Sequence, residues 1–239
     1  MSAARTRAWL ELMRVSNLPT VVSNALTGAA LGALPGAGAY PWRAFALAAP
    51  AVALLYVAGM ATNDVIDAAT DRAERPSRPI PSGRVSRAAA GWFAIVATVA
   101  ALILLTIADW RAGVAGAGLA LCSLAYNLTH RSFSGAVILM GGCRALAVVA
   151  SMLAAGVPET LLPIALVCAI LWMYVILISV IARSEAGNRS RVRIVVGMIC
   201  AISLLDAIFL GVLGWWTQAG LAVLCFILAA IAQRRILGS

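Results

Sequence analysis

Asp64, Asp67 and Asp71 stand at positions i, i+3 and i+7 in the stretch NDVIDAATDRAERPSRPIPSGRVS, residues 63–86. On a helix they fall within about 60° of one another, with Asn63 one step round the same side. Three carboxylates sharing a face repel one another, and a divalent cation relieves that repulsion. Magnesium suits such a set, because it takes oxygen ligands and is usually held by one or two carboxylates together with substrate phosphates. The plainer alternative is a solvated helix end neutralised by Arg72 and Arg75. The residues after the aspartates favour the metal. Pro76, Pro79 and Pro81 stop the helix and predict an extended ERPSRPIPSGR segment. Arg75, Arg78 and Arg84 could then sit near the carboxylates without being wound into them, as an anion clamp requires. Ser86 is placed to cap the next helix.

The elements that must position this chemistry are apolar. Of 239 residues, 63% are hydrophobic and only 11% charged, with a mean hydropathy of +0.97. A soluble domain is nearer half apolar and a quarter charged, so the composition is that of an integral membrane protein. The apolar runs are about 17–22 residues long, which predicts spanning helices and excludes the ten-residue alternating strands of a barrel. Eight spans can be drawn, near 13–34, 42–62, 87–108, 112–129, 134–156, 160–182, 193–211 and 213–232, with seven or nine left open. Arg5 and Arg7 ahead of an apolar run resemble a signal peptide, but Glu11, Arg14, Asn17 and Pro19 interrupt it, and a retained first helix is expected.

There is no lysine, so all 18 basic residues are arginines. Eight spans put fifteen of them on one side, only Arg43 and Arg111 on the other, and Arg144 inside a span. The positive-inside rule makes the rich side, with both termini, cytoplasmic in a cell (inner) membrane. The net charge of +9 is therefore topology and attraction to anionic lipid, with no reason to invoke nucleic acid. The five cysteines lie in apolar runs without CxxC spacing and read as packing residues. One internal echo, NDVIDAATDR against ARSEAGNR, suggests two four-helix halves within a single domain over 1–239.

Arg144 within a span is functional by default, reaching a phosphate or pairing with an acid such as Asp206. For Asp206 a structural hydrogen bond or ion pair is expected, and for Asp109 a solvated helix end beside Arg111. His130, the lone histidine, is a helix cap or a phosphate donor. Trp42, Trp110, Trp215 and Trp216 read as interfacial anchors, and the glycines of GAALGAL and GVAGAG as helix-packing contacts.

NDVIDAATD followed by ERPSRPIPSGRVS resembles the first signature of the UbiA superfamily of intramembrane prenyltransferases, NDxxDxxxD and then an RPxxSG loop. AYNLTHR, residues 125–131, is similar to that family's tyrosine-containing segment ending in Lys-Arg, with His130 where lysine is usual. LMGGCRALAVVAS and ISVIARSEAGN look like the MGxCR and SRxE segments of the EboC-type UbiA-like branch. The resemblance covers nearly the whole chain. It implies an all-α polytopic bundle around a central cavity, with magnesium at Asp64, Asp67 and Asp71 gripping the diphosphate of a polyprenyl donor. Asn63, Arg75, Arg78, Tyr126, Asn127, His130, Arg131, Arg144, Arg183 and Glu185 are the implied diphosphate contacts. Where the family carries a second acidic cluster, ARSEAGNRSR holds the single acid Glu185.

The expected activity is magnesium-dependent prenyl transfer within the membrane from a polyprenyl diphosphate to an aromatic or other small or lipid acceptor. The alternative is a non-catalytic or transport-associated relative that binds an isoprenoid diphosphate, supported by the lone Glu185. A CDP-alcohol phosphotransferase would also cluster aspartates, but its DGxxAR-type opening is missing.

Overall fold

The computed structural model describes residues 3–33, 38–183 and 189–236. Among these the chain is all-helical: α1 (Ala3–Leu12), α2 (Leu18–Gly32), α3 (Trp42–Glu74), α4 (Arg87–Ala108), α5 (Trp110–Thr129), α6 (Val137–Ala155), α7 (Leu162–Arg183), α8 (Arg189–Val212) and α9 (Trp216–Ile236). Seven of the described helices, α3 to α9, are long and apolar enough to cross a membrane. The protein is a multi-pass membrane protein.

The expected first span, 13–34, is broken. After α1 the chain turns at Arg14, whose φ of 47° is left-handed, and a 3-10 turn follows at Val15–Asn17. Pro19 then opens α2 at a position where its missing N–H costs nothing. With 15 residues, α2 is only about 22 Å long, short of a bilayer core of about 30 Å. Its place explains both its length and its polarity. It packs against α3, α6, α8 and α9, while α3 to α8 each pack on the next helix in sequence. Residues Thr20, Val21 and Ser23 to Leu31 are buried, so α2 is a central pillar that meets other helices, not lipid.

Around it, small residues face inward and bulky ones outward. On α4, Ala90, Ala94, Ala97 and Ala101 are buried while Trp92, Ile95, Val96, Val99 and Ile103 are exposed. Alanines at this spacing let backbones approach, and dispersion at close range holds helices together where lipid gives no hydrophobic drive. The glycines expected to pack do so. A Cβ on Gly28 would strike the Val148 carbonyl oxygen, and one on Gly32 that of Met152, both on α6. Gly113 and Gly116 likewise meet Thr106 and Leu105 of α4. Of the expected anchors, Trp42, Trp110 and Trp216 are exposed, whereas Trp215 packs edge-on against Tyr40 at 5.4 Å.

The 33-residue α3 replaces the expected span of 42–62. About 20 residues suffice to cross the apolar layer, so the last three turns, residues 63–74, carry the aspartates on the same rigid rod. Pro76 ends it, and Arg75 closes it with a backbone bond to Asp71. The following segment is not extended. Arg78 N bonds Arg75 O, Ser82 N bonds Arg78 O and Val85 N bonds Pro79 O, and Gly83 takes a φ of 74°. Each proline fixes only its own φ, at a value that tight turns share, and neighbouring N–H groups close the turns. Ser86 caps α4, accepting from Ala89 N at 3.1 Å, and Asp109 caps α5, accepting from Arg111 N at 2.7 Å.

Gly28→Leu is expected to lower the unfolding temperature in detergent, by the equivalent of about 1–3 kcal/mol for a forced clash. Gly91→Ala, where an added Cβ meets nothing within 4 Å, is expected to hold or raise it.

Candidate functional site

The three aspartates are buried, at relative exposures of 6, 5 and 0% for Asp64, Asp67 and Asp71. Arginines from three separate segments close on them. Arg78 of the proline loop bonds Asp71 at 2.6 Å and lies 3.6 Å from Asp64. Arg131, just past α5, donates Nε to Asp67 at 2.8 Å and reaches Asp71 and Glu74 at 3.6 Å. Its hydrogen bond to Asp67 raises its already high proton affinity further. Arg14, at the left-handed turn, lies 3.8 Å from Asp64 and donates to Asn63 Oδ1 at 3.4 Å. Asn63 in turn donates to Asp67 at 3.3 Å. His130 sets Nε2 3.4 Å from Asp67 and Nδ1 3.1 Å from the Asn127 carbonyl, and stacks on Tyr126 with centroids 5.3 Å apart.

Three buried acids thus face three guanidiniums that stay partly exposed, and the cluster is near neutral. Two carboxylate oxygens remain incompletely satisfied: Asp64 Oδ1 and Asp71 Oδ1 are buried without a hydrogen-bond partner. Their nearest guanidinium nitrogens, 3.6 Å away, are beyond hydrogen-bonding range. Among the described residues no three His, Cys, Asp or Glu side chains converge on one metal position. The donor set still fits magnesium, since open carboxylate oxygens on one helix face are the ligands that cation shares with phosphate and water.

Below the cluster lies a cavity of about 200 Å³ between α2, α3, α5, α6, α7 and α8. Its wall is mainly apolar, with Val52, Leu55, Leu119, Ala147 and Ile178 among its residues. Arg14, Asn17, Tyr126, Asn127 and Arg144 supply its polar points. Arg14 and Asn17 also line a wider groove of about 760 Å³ that reaches Asp64 and Arg78. They stand where the charged end meets the apolar interior.

The expected residues separate into groups. Asp64, Asp67, Asp71, Asn63, Arg78, His130 and Arg131 come together, and Tyr126 joins them through His130. Asn127 is a tether, donating to Gly59 O on α3 at 3.1 Å. Arg75 is exposed, and among the described residues it makes no ion pair with the aspartates. Arg84 turns to Glu11 at 2.8 Å, leaving Arg78 alone of the three loop arginines on the cluster. The folding of the loop into turns sends them in different directions. The Arg183 side chain and all of Glu185 lie outside the described residues. Arg14 is the site residue that sequence reasoning misses, since it counts there only toward topology. Its clue is an arginine followed three residues later by Asn17 inside an apolar run.

Arg144 belongs to a different network. It donates to Asn24 Oδ1 at 2.8 Å, Thr20 O at 3.2 Å and Thr20 Oγ1 at 3.0 Å, all on α2. Asn24, with Ser23 and Thr27, donates to Asp206 of α8 at 2.6–2.8 Å. Arg144 and Asp206 are joined through Asn24, and this polar brace ties α6 and α8 to the pillar. Asp206→Ala strands the buried donors of Asn24 and Thr27, while Ser23 can fall back on the Thr20 carbonyl, and is expected to cost about 1–3 kcal/mol, read as a lower unfolding temperature in detergent. Asp206→Asn, which keeps acceptor capacity, should cost less.

Known proteins resemble this chain in sequence and in fold. Digeranylgeranylglyceryl phosphate synthase of Ignicoccus hospitalis is 38% identical over 84 residues, covering 35% of this chain and 26% of that protein. The Methanopyrus kandleri enzyme of the same name is 42% identical over 95 residues, 37% and 31% of the two chains. That of Natronomonas pharaonis is 33% identical over 132 residues, 55% and 46%. The matched stretches therefore span about a quarter to under half the length of these relatives. A solved structure reported for digeranylgeranylglyceryl phosphate synthase in membranes superposes with a TM-score of 0.64 at 15% identity, over 98% of this chain and 96% of that one. It shares the fold. The family model that matches runs over residues 21–237, nearly from end to end, and the chain belongs to the UbiA prenyltransferase family.

Proposed function

We propose that this chain transfers a prenyl group from a polyprenyl diphosphate to an acceptor within the membrane, with magnesium at the aspartates. The observation that carries this is the junction of three buried aspartates and their arginine partners with an apolar cavity. The cluster suits a diphosphate head and the cavity an isoprenoid tail.

Charge balance argues for the metal. Three aspartates set against Arg14, Arg78 and Arg131 leave little surplus positive charge for a diphosphate. Asp64 and Asp71, with their open oxygens, and Asp67 would hold magnesium. When bound, the ion supplies positive charge that stabilises the diphosphate leaving group. Arg14, Arg78 and Arg131 can then turn from carboxylate to phosphate, the ligand their planar fork fits equally well. His130 and Asn63 orient Asp67, and Tyr126 supports His130 by stacking. The apolar wall keeps water from the allylic carbon as its C–O bond breaks, until the acceptor attacks. Arg144 lines the cavity and holds its shape from the α2 side.

The arginine-rich end, with the cluster, is proposed to face the cytoplasm. The relatives' name puts geranylgeranyl diphosphate and a glyceryl phosphate lipid first in a substrate panel, ahead of aromatic acceptors. A second reading, diphosphate binding without turnover, is favoured by the single Glu185 where the family pattern has an acidic cluster.

Purified protein with radiolabelled prenyl diphosphates, magnesium and the acceptor panel tests both. Product is expected that disappears with a chelator and falls at least about 100-fold in Asp64→Ala and Asp67→Ala, the scale of lost transition-state charge stabilisation. Arg14→Gln is expected to lower turnover about tenfold or more on the same grounds. Saturable donor binding with no product across the panel would establish the second reading.

A further inference from the structure

The groove that reaches Asp64 has two jaws. One is α1, through Arg7 and Glu11; the other is the proline loop, through Ser77, Arg78 and Arg84. An ion pair spans them, beside an apolar cluster that holds Ala8 and Leu12 of α1 with Ile80 and Val85 of the loop. Arg84 is fixed in its loop by bonds to Ser77 O at 2.6 Å and Ser82 Oγ at 3.0 Å, and it reaches across to Glu11 Oε2 at 2.8 Å. Arg7 supports Glu11 from one turn away at 3.6 Å. The rest of α1 rests on apolar contacts: Ala8 and Leu12 are fully buried, and Trp9 meets Phe93 edge-on at 5.4 Å. Behind them comes Arg14, a non-glycine residue at φ 47° and ψ 48°. Such a conformation is strained and persists only where the surroundings impose it. The residue at that turn is also the one touching Asp64 and Asn63.

We propose that α1 is a lid over the diphosphate vestibule, hinged at Arg14 and latched by the Glu11–Arg84 pair. This rests on the diphosphate assignment above. The donor's anionic head competes with Glu11 for Arg84 and with Asp64 for Arg14, so its arrival loosens latch and hinge together. Reclosure over the seated head excludes water from the breaking C–O bond. An exposed ion pair is weak, as a latch released by ligand must be.

Glu11 touches none of the aspartates, so Glu11→Gln weakens the latch and leaves the cluster intact. Farnesyl S-thiolodiphosphate, a donor analogue that resists ionisation, is the probe, with magnesium present. Its association and dissociation rates are expected to rise together by about two- to fivefold in Glu11→Gln, the factor an exposed pair contributes. In the turnover assay the fraction of prenyl diphosphate lost to water as prenyl alcohol should rise. Glu11→Asp should restore part of the effect, and the exchange Glu11→Arg with Arg84→Glu should recover slow rates that Glu11→Arg alone abolishes. Hydrogen exchange of the α1 amides, measured without ligand, should quicken in Glu11→Gln. Unchanged probe kinetics and unchanged α1 exchange in Glu11→Gln would overturn the lid. Should the wild-type protein bind no analogue, the diphosphate assignment falls, and α1 exchange alone then decides whether the latch exists.

Discussion

Three buried carboxylates are what the rest of this structure has to accommodate. Asp64, Asp67 and Asp71 lie on one face of α3, where isolated negative charge would be prohibitive. The chain answers with guanidiniums drawn from far apart in sequence: Arg14 ahead of α2, Arg78 in the proline loop and Arg131 after α5. Each fixes the position of its own segment. The left-handed turn at Arg14, the tight turns after α3 and the short link between α5 and α6 all deliver a cation to the same small volume. Removing the aspartates would leave these segments with no common point of reference.

Deeper in the bundle the same problem is solved without direct ion pairing. Arg144 and Asp206 bracket α2 and meet through Asn24, and hydroxyls of Ser23 and Thr27 complete the carboxylate's shell. A central helix carrying polar side chains on several faces tolerates this because every neighbour is protein. Arg144 therefore answers to α2, with its guanidinium committed there, while also forming part of the cavity wall. The two networks divide the labour: one gathers distant segments around the aspartates at the end of α3, the other holds the helices that frame the cavity.

Much of this is legible in residue order. The span at 87–108 coincides with α4 because its ends carry their own signals, Ser86 as cap and Asp109 as the next cap. The face shared by the aspartates follows from helical spacing alone, and the structure sets them beside Arg78, His130 and Arg131. The features that escape such a reading depend on contacts distant in sequence. Arg14 pairs with Asp64, most of two helices further along the chain, and nothing local distinguishes it from an arginine serving topology. Three prolines dominate the composition of the loop after α3 and argue for an extended segment, yet the N–H groups between them decide its shape. The break in the first apolar run has its cause in view, Pro19, but the burial of α2 at the centre is a property of the whole bundle. The segment holding Glu185 lies outside the described residues.

One long helix joins the two ends of the site. Val52 and Leu55 in the cavity wall and Asp64 to Asp71 at the charged end belong to the same unbroken α3. Helices are stiff along their axis, and packed interiors transmit small displacements with little loss. A push on the carboxylates would thus shift the wall of the apolar chamber as a lever does, and a change of shape in the chamber would tilt the carboxylates away from their partners. The polar terminus and the apolar interior are therefore mechanically one part, and neither can be reshaped without strain on the other.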